Sequence, residues 1–252
     1  MKKILIFLAA AFMFAATADA QGRYHGPHHG HYVSSVEGLG LHFGYVHSFN
    51  RITDPFKEEV SSSDGRNGFH VGMTKDFALI PYTLYVQSGV DYVYQVKNPD
   101  VAKVGSLEIL AKDQEHRLNI PLKLKYEYPV TPVISAFAQV GPTFSFGLAS
   151  DLKYRAKQDS GIAYVSYNYY SGKIKTGGEA GFMEEIMDAQ TPDAKYRRFD
   201  TLLGGAVGAK FFDIIEASIG YDWGLVNQYK GALADELKMR RQQLYVTLAV
   251  RF

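Results

Sequence analysis

From Arg117 to Tyr128 the chain reads RLNIPLKLKYEY. Leu118, Ile120, Leu122, Leu124 and Tyr126 share one parity; Arg117, Asn119, Lys123, Lys125 and Glu127 share the other. A period of two belongs to a β-strand, whose successive side chains leave opposite faces. One flank of this segment therefore meets an apolar medium and the other a polar one. The apolar medium is either a protein core or lipid hydrocarbon, and the choice between them sets the kind of protein.

The same period recurs seven more times. GLGLHFGYVHSF sets Leu39, Leu41, Phe43, Tyr45 and Phe49 against Gly38, Gly40, His42, Gly44 and Ser48. GFHVGMTKDF sets Phe69, Val71 and Met73 against His70, Gly72, Thr74 and Asp76, and YTLYVQSGVDYVY sets Leu84, Val86, Val90, Tyr92 and Tyr94 against Thr83, Gln87, Gly89 and Asp91. ISAFAQVGPTFSFGL, FDTLLGGAVGAKFF, IEASIGYDWGL and the terminal QQLYVTLAVRF complete the set. The connections alternate in length. Short turns at LIP, YPVTP and FFDI separate long polar segments, roughly 50–66, 97–114, 151–197 and 227–241. Short turns on one side and long loops on the other are the pattern of a transmembrane barrel, whereas a sandwich has no reason to sort its loops.

The polar parity settles the medium. It is rich in Gly, Ser, Thr and Ala, which suits a crowded interior where eight strands leave room only for small side chains. The opposite parity carries bulky Leu, Ile, Val, Phe and Tyr, which suits lipid. The expectation is an all-β, eight-stranded antiparallel up-and-down transmembrane β-barrel over 36–252, with short periplasmic turns and long extracellular loops. Its last strand, ending at Phe252, would close against the first.

The other segments fit export. Lys2 and Lys3, the apolar run ILIFLAAAFMFAA and the small residues ADA before Gln21 read as a signal peptide, 1–20, too short for a spanning helix. Cysteine is absent, so neither disulfides nor a lipidated cysteine contribute. Cleavage after Ala20 leaves basic and acidic side chains equal in number, which gives no ground for a nucleic-acid partner.

LYVTLAVRF resembles the terminal signature of outer-membrane barrels, matched here by Tyr245, Val246, Leu248, Val250 and Phe252. The resemblance implies recognition by the barrel-assembly machinery. RLNIPLKLKYEY resembles a strand of the PorT-like, porin-family small outer-membrane barrels of Bacteroidetes-type bacteria. That resemblance implies a cell-envelope barrel held in outer-membrane lipid and supplies no catalytic residues.

Candidate chemistry is sparse. His25, His28, His29 and His31 cluster in a flexible arm, 21–35, whose interleaved Gly26, Pro27 and Gly30 give no fixed metal geometry. Asp91, Lys123, Lys125, Asp200, Lys210, Glu216 and Asp222 fall on the lumen parity and are expected to pair with one another, since unpaired charges there are costly. His42, His47, His70 and Ser48 invite an acyl-transfer reading. His47 and Ser48 are neighbours on a strand and point apart, so they form no local dyad. No catalytic, cofactor-binding or metal-ligating residues are assigned, and no cofactor is expected. Tyr164, Tyr167, Tyr169 and Tyr170 in the longest segment suit an extended hairpin that meets an extracellular protein or glycan. Phe182, Met183, Ile186 and Met187, and separately ALADELKMRR, are expected to form short amphipathic helical turns. The function expected is structural or loop-mediated binding without catalysis. The alternatives are a narrow small-solute channel, a soluble lipocalin-like barrel and a lipid-modifying enzyme.

Overall fold

The computed structural model describes residues 39–53, 59–61, 65–104, 107–158, 161–178, 195–231 and 234–252. The expected leader 1–20, the histidine-rich arm 21–35 and the helical turn at 181–189 lie outside them. The described residues form one antiparallel sheet of eleven strands: β1 (Leu39–Thr53), β2 (Glu59–Ser61), β3 (Arg66–Ile80), β4 (Leu84–Val104), β5 (Leu107–Thr131), β6 (Ile134–Gln158), β7 (Gly161–Asn168), β8 (Lys173–Gly178), β9 (Phe199–Phe211), β10 (Ile215–Gly224) and β11 (Lys238–Arg251). Eight of these close a ring in the order β1, β3, β4, β5, β6, β9, β10, β11. The seam is the β1–β11 ladder, which runs from Gly40 opposite Arg251 to Thr53 opposite Lys238. A sheet closed in this way leaves no unpaired edge.

The three short turns come from local chemistry. At Ile80–Thr83, Pro81 is followed by Tyr82 at φ 65°, and Thr83 N donates to Ile80 O at 3.1 Å, a type II turn. At Phe211–Ile214, Phe212 (φ 53°) and Asp213 (φ 58°) are both left-handed, a type I′ turn whose twist matches its flanking strands. At the third, the Thr131 hydroxyl accepts from Ile134 N at 3.0 Å.

At the other end part of what was expected as loop is strand. β4 and β5 continue to Val104 and from Leu107, so most of the polar stretch 97–114 is strand. β1 runs to Thr53 and pairs with β2. β6 pairs with β9 over Ile134–Phe146 and then with β7 over Asp151–Gln158, and β7 pairs in turn with β8. A ribbon built from the upper parts of β4, β5 and β6 together with β7 and β8 thus stands above one side of the ring. In β7 the alternation continues, with Val165 and Tyr167 buried, whereas 97–114 carries polar residues on both parities. The helical turn expected in ALADELKMRR is also corrected. Ala234–Glu236 form a turn, and Lys238–Arg241 already belong to β11.

The parity of the wall is inverted relative to a water-soluble barrel. On β5, Leu122, Leu124 and Tyr126 are 43%, 44% and 49% exposed, whereas Lys123, Lys125 and Glu127 are 3%, 0% and 5% exposed. Phe43, Val71, Val140, Val207, Ile219 and Val246 continue the outer apolar belt around the ring. The interior is filled with charged and amide side chains, the arrangement of a membrane-spanning barrel. Room for them comes from glycine on the inner face. A Cβ on Gly44 would lie 2.0 Å from Val246 O and 2.4 Å from His70 Nε2.

Two outcomes follow from the inverted parity. A nitroxide at Leu122 in a lipid-reconstituted barrel should be reached by lipid-dissolved oxygen and one at Lys123 should be shielded, as read by power-saturation spectroscopy. Leu122→Arg should lower the unfolding free energy in lipid by about 2–4 kcal/mol, measured by denaturant titration of folded-band migration on unheated gels. A neutral result for that substitution would place Leu122 away from hydrocarbon.

Candidate functional site

The lumen charges expected from parity do converge, and they sort into three levels. At the turn end, Lys125 of β5 places its ammonium 2.9 Å from Asp76 Oδ2, 2.9 Å from Glu127 Oε1 and 2.6 Å from Glu216 Oε1. Arg251 donates to Glu216 Oε2 at 2.8 Å and lies 3.4 Å from Asp76 Oδ1. Lys210 pairs with the second oxygen of Glu127. Three cations thus meet three carboxylates, and Lys125 also sits over the Phe137 ring, 4.6 Å from its centroid. The carboxylates Asp76, Glu127 and Glu216 could by donor type hold a metal ion, but the Lys125 ammonium already occupies their centre.

The middle level holds Lys123, whose ammonium lies 2.9 Å from Asp222 Oδ1 and donates to Gly141 O at 2.9 Å. Thr143 donates to Asp222 Oδ2 at 3.3 Å. Beside this pair, His42 Nε2 is 2.8 Å from Asp91 Oδ1, and His70 Nδ1 is 3.4 Å from Asp91 Oδ2. A cavity of about 80 Å³ lies among these groups.

At the ribbon end, Glu115 is met by Arg117 at 2.9 Å, by Arg66 at 3.5 Å and by Arg241. Arg66 also binds Asp113 at 2.6 Å. Asp200 is fully buried close to the charges of Arg117 and Arg241. Above this cluster the turn between β7 and β8 folds inward. Tyr170 donates to Glu115 Oε1 at 2.8 Å and accepts from Arg117 Nη1 at 3.1 Å. Burial, with the nearby Glu115 carboxylate adding to it, pushes its hydroxyl above the ordinary tyrosine range and keeps it a donor. The Tyr170 ring lies on Gly147, where a Cβ would come within 2.1 Å of it. Tyr169 stacks on Tyr196 with centroids 4.6 Å apart and planes 7° from parallel. These tyrosines form a lid across the ribbon end of the lumen.

A second candidate site lies outside, on the ribbon. Strand register puts Lys112 of β5 opposite Lys153 of β6, Lys153 opposite Ser166 of β7, and Ser166 opposite Lys175 of β8. Register partners share a face, so this row is one stripe across four strands. The flanking rows add Arg155 with Tyr164, and Asn168 with Lys173. These residues and Arg198 line an open groove of about 990 Å³. The acid in it, Asp151, accepts from Asn168 Nδ2 at 2.7 Å. Like charges directly opposite on neighbouring strands repel; Lys153 faces Lys112 and donates to Gln114 Oε1 at 3.3 Å.

All seven lumen charges expected from sequence point inward. As expected, His47 and Ser48 diverge: His47 meets Asn67 at 2.7 Å, while Ser48 donates to Gln95 inside the barrel at 3.0 Å. Of the four tyrosines expected to be presented to the outside, Tyr164 is exposed in the groove. Tyr167, Tyr169 and Tyr170 are turned inward. Sequence reasoning missed Arg66 and Arg241, which sit in stretches taken as loop, and the convergence of His42, His70 and Asp91, which requires cross-strand register.

The model for the family described as outer membrane protein beta-barrel domain matches residues 35–229. No curated protein sequence matches this chain significantly. Among solved structures, Ail, the attachment invasion locus protein of Yersinia pestis, in complex with the heparin analogue sucrose octasulfate, superposes with a TM-score of 0.35 at 10% identity, over 85% of this chain and 99% of its own. Neisserial surface protein A gives 0.34 at 10% identity over 84% and 97%. The outer membrane protease OmpT from Escherichia coli gives 0.23 at 6% identity over 86% and 97%. With its family model matched over most of the chain and its apolar belt facing outward, the protein belongs to the outer membrane protein beta-barrel domain family and resides in the outer membrane.

Proposed function

We propose that this barrel is a non-enzymatic, non-conducting envelope protein that binds anionic saccharide through its external ribbon, and that within its family it stands with the PorT-like barrels its β5 strand resembles. The observation that carries the reading is the cationic stripe Lys112, Lys153 and Lys175 across the ribbon, flanked by Arg155, Lys173 and the exposed ring of Tyr164. Tyrosine offers a flat face for a sugar ring, and clustered ammonium and guanidinium groups suit sulfate or phosphate esters. Such a saccharide reaches the groove either free or as the headgroup of a lipid anchored in the same membrane.

Closure of the lumen supports the non-conducting part. Eight strands enclose space for side chains and little more. The three charged levels and the tyrosine lid fill most of it. The pair weighed from sequence is not brought together: His47 and Ser48 diverge. His42 and His70 converge on Asp91, and the hydroxyl beside His70, Thr247 Oγ1 at 3.3 Å, lies inside the closed lumen.

Charge reversal at Lys153→Glu with Lys175→Glu should weaken binding of sucrose octasulfate to the detergent-purified barrel at least tenfold and flatten its salt dependence. The same variant in vesicles with and without a phosphorylated glycolipid separates the free from the anchored ligand. Unchanged affinity would remove the groove from the proposal. In planar bilayers the unsubstituted barrel should show no conductance steps, and Gly147→Val, which displaces Tyr170, should raise leakage. Lys125→Met should cost about 3–5 kcal/mol of stability, because it strands buried carboxylates; denaturant titration of gel migration measures it.

A further inference from the structure

We propose that His42, His70 and Asp91 form a binding site for one divalent transition-metal ion, with zinc as the reference ion, in the middle of the lumen. Two imidazoles and a carboxylate are a donor set that zinc takes in tetrahedral sites with one open position. The three donor atoms all lie within 4.8 Å of one another. Ligands around a tetrahedral zinc are about 3.3–3.5 Å apart, given bonds of about 2.0–2.2 Å. His42 Nε2 lies 2.8 Å from Asp91 Oδ1 and His70 Nδ1 3.4 Å from Asp91 Oδ2, so a metal ion would be seated by a turn of the carboxylate and a shift of the His42 ring away from it.

The backbone brings these side chains together by omitting others. Gly72 on β3 stands between His42 on β1 and Asp91 on β4 in cross-strand register. A Cβ there would come within 2.7 Å of Asp91 Oδ1. His70 lies two residues along β3 on the same face, opposite Gly44. Two glycines thus let side chains from three adjacent strands converge.

A second, independent observation concerns His70. Its side chain is 5% exposed, and Nδ1 makes no hydrogen bond. Nε2 lies 3.4 Å from Val246 O and 3.3 Å from Thr247 Oγ1. With a metal ion between Nδ1 and Asp91, Nε2–H would donate to that carbonyl, the arrangement by which an outer hydrogen bond orients a metal-bound imidazole. The cavity of about 80 Å³, lined also by Gln87, Asn119 and Tyr245, has room for the water that would complete the coordination. At the turn end each carboxylate of the cage meets lysine or arginine; Asp91 meets two imidazoles instead.

The test must separate this site from the histidine-rich arm. The full chain carrying His25→Ser, His28→Ser, His29→Ser and His31→Ser is refolded with zinc, desalted, and its metal content measured. One zinc per barrel should remain, with X-ray absorption showing imidazole ligands, and the barrel should unfold at higher denaturant than the metal-free form. His70→Asn, folded by the criterion of unheated gel migration, should bind zinc at least about tenfold more weakly. Loss of all zinc with the arm histidines, or equal retention by folded His70→Asn, overturns the site. Should His70→Asn not fold, the absorption spectrum of the arm-substituted barrel decides: absence of imidazole scattering overturns the proposal.

Discussion

Hydrocarbon offers no partner to a peptide N–H or C=O, and the whole structure follows from that lack. A sheet survives in it only if every strand has two neighbours, which makes the β1–β11 ladder the necessary contact of the fold. Once the sheet is closed, the faces have no freedom left. The apolar parity must look at lipid, so the polar parity is confined to a narrow interior. That interior then acts as the core of the protein, although it is built from lysine, arginine, aspartate and glutamate.

Such a core holds only if its charges cancel locally. At the turn end three cations face three carboxylates at hydrogen-bonding distance. At the ribbon end Arg66, Arg117 and Arg241 surround Glu115, with Asp113 and Asp200 beside them. Buried pairs of this kind add less net stability than their short distances suggest, because each group first loses its water. They do impose geometry, since each carboxylate holds particular strands at a particular stagger. Glycine on the inner wall makes the space for these long side chains, so its frequency on one parity reflects the volume of its neighbours as much as the curvature of the sheet.

The wall was readable from residues because two media of opposite character meet its two faces, and the parity of RLNIPLKLKYEY records both. The turns were readable too, since Pro81 and the compact FFDI mark abrupt reversals. The ribbon was readable only in the hairpin of β7 and β8, where Val165, Tyr167 and Tyr169 alternate and are buried; the upper parts of β4 and β5 read as loop because polar residues fall on both parities of 97–114. Arg241 reads as loop with the polar stretch 227–241, although it lies on β11 and anchors the ribbon-end cluster. Tyr170 was correctly placed on an extended hairpin, but its inward turn depends on the absence of a side chain at Gly147, and no local pattern reports that. The meeting of His42, His70 and Asp91 needs the register of three strands, which period-two reasoning does not supply.

β6 changes partners along its length, joined to β9 up to Phe146 and to β7 from Asp151 onward. The hairpin of β7 and β8 is therefore grafted onto one strand above a finished wall and shares no ladder with the seam. It is tied to the interior by the turn at its tip, where Tyr170 reaches Glu115 and Arg117. The fork thus divides the labour of one strand, whose first half seals the cylinder and whose second half carries a hairpin above it.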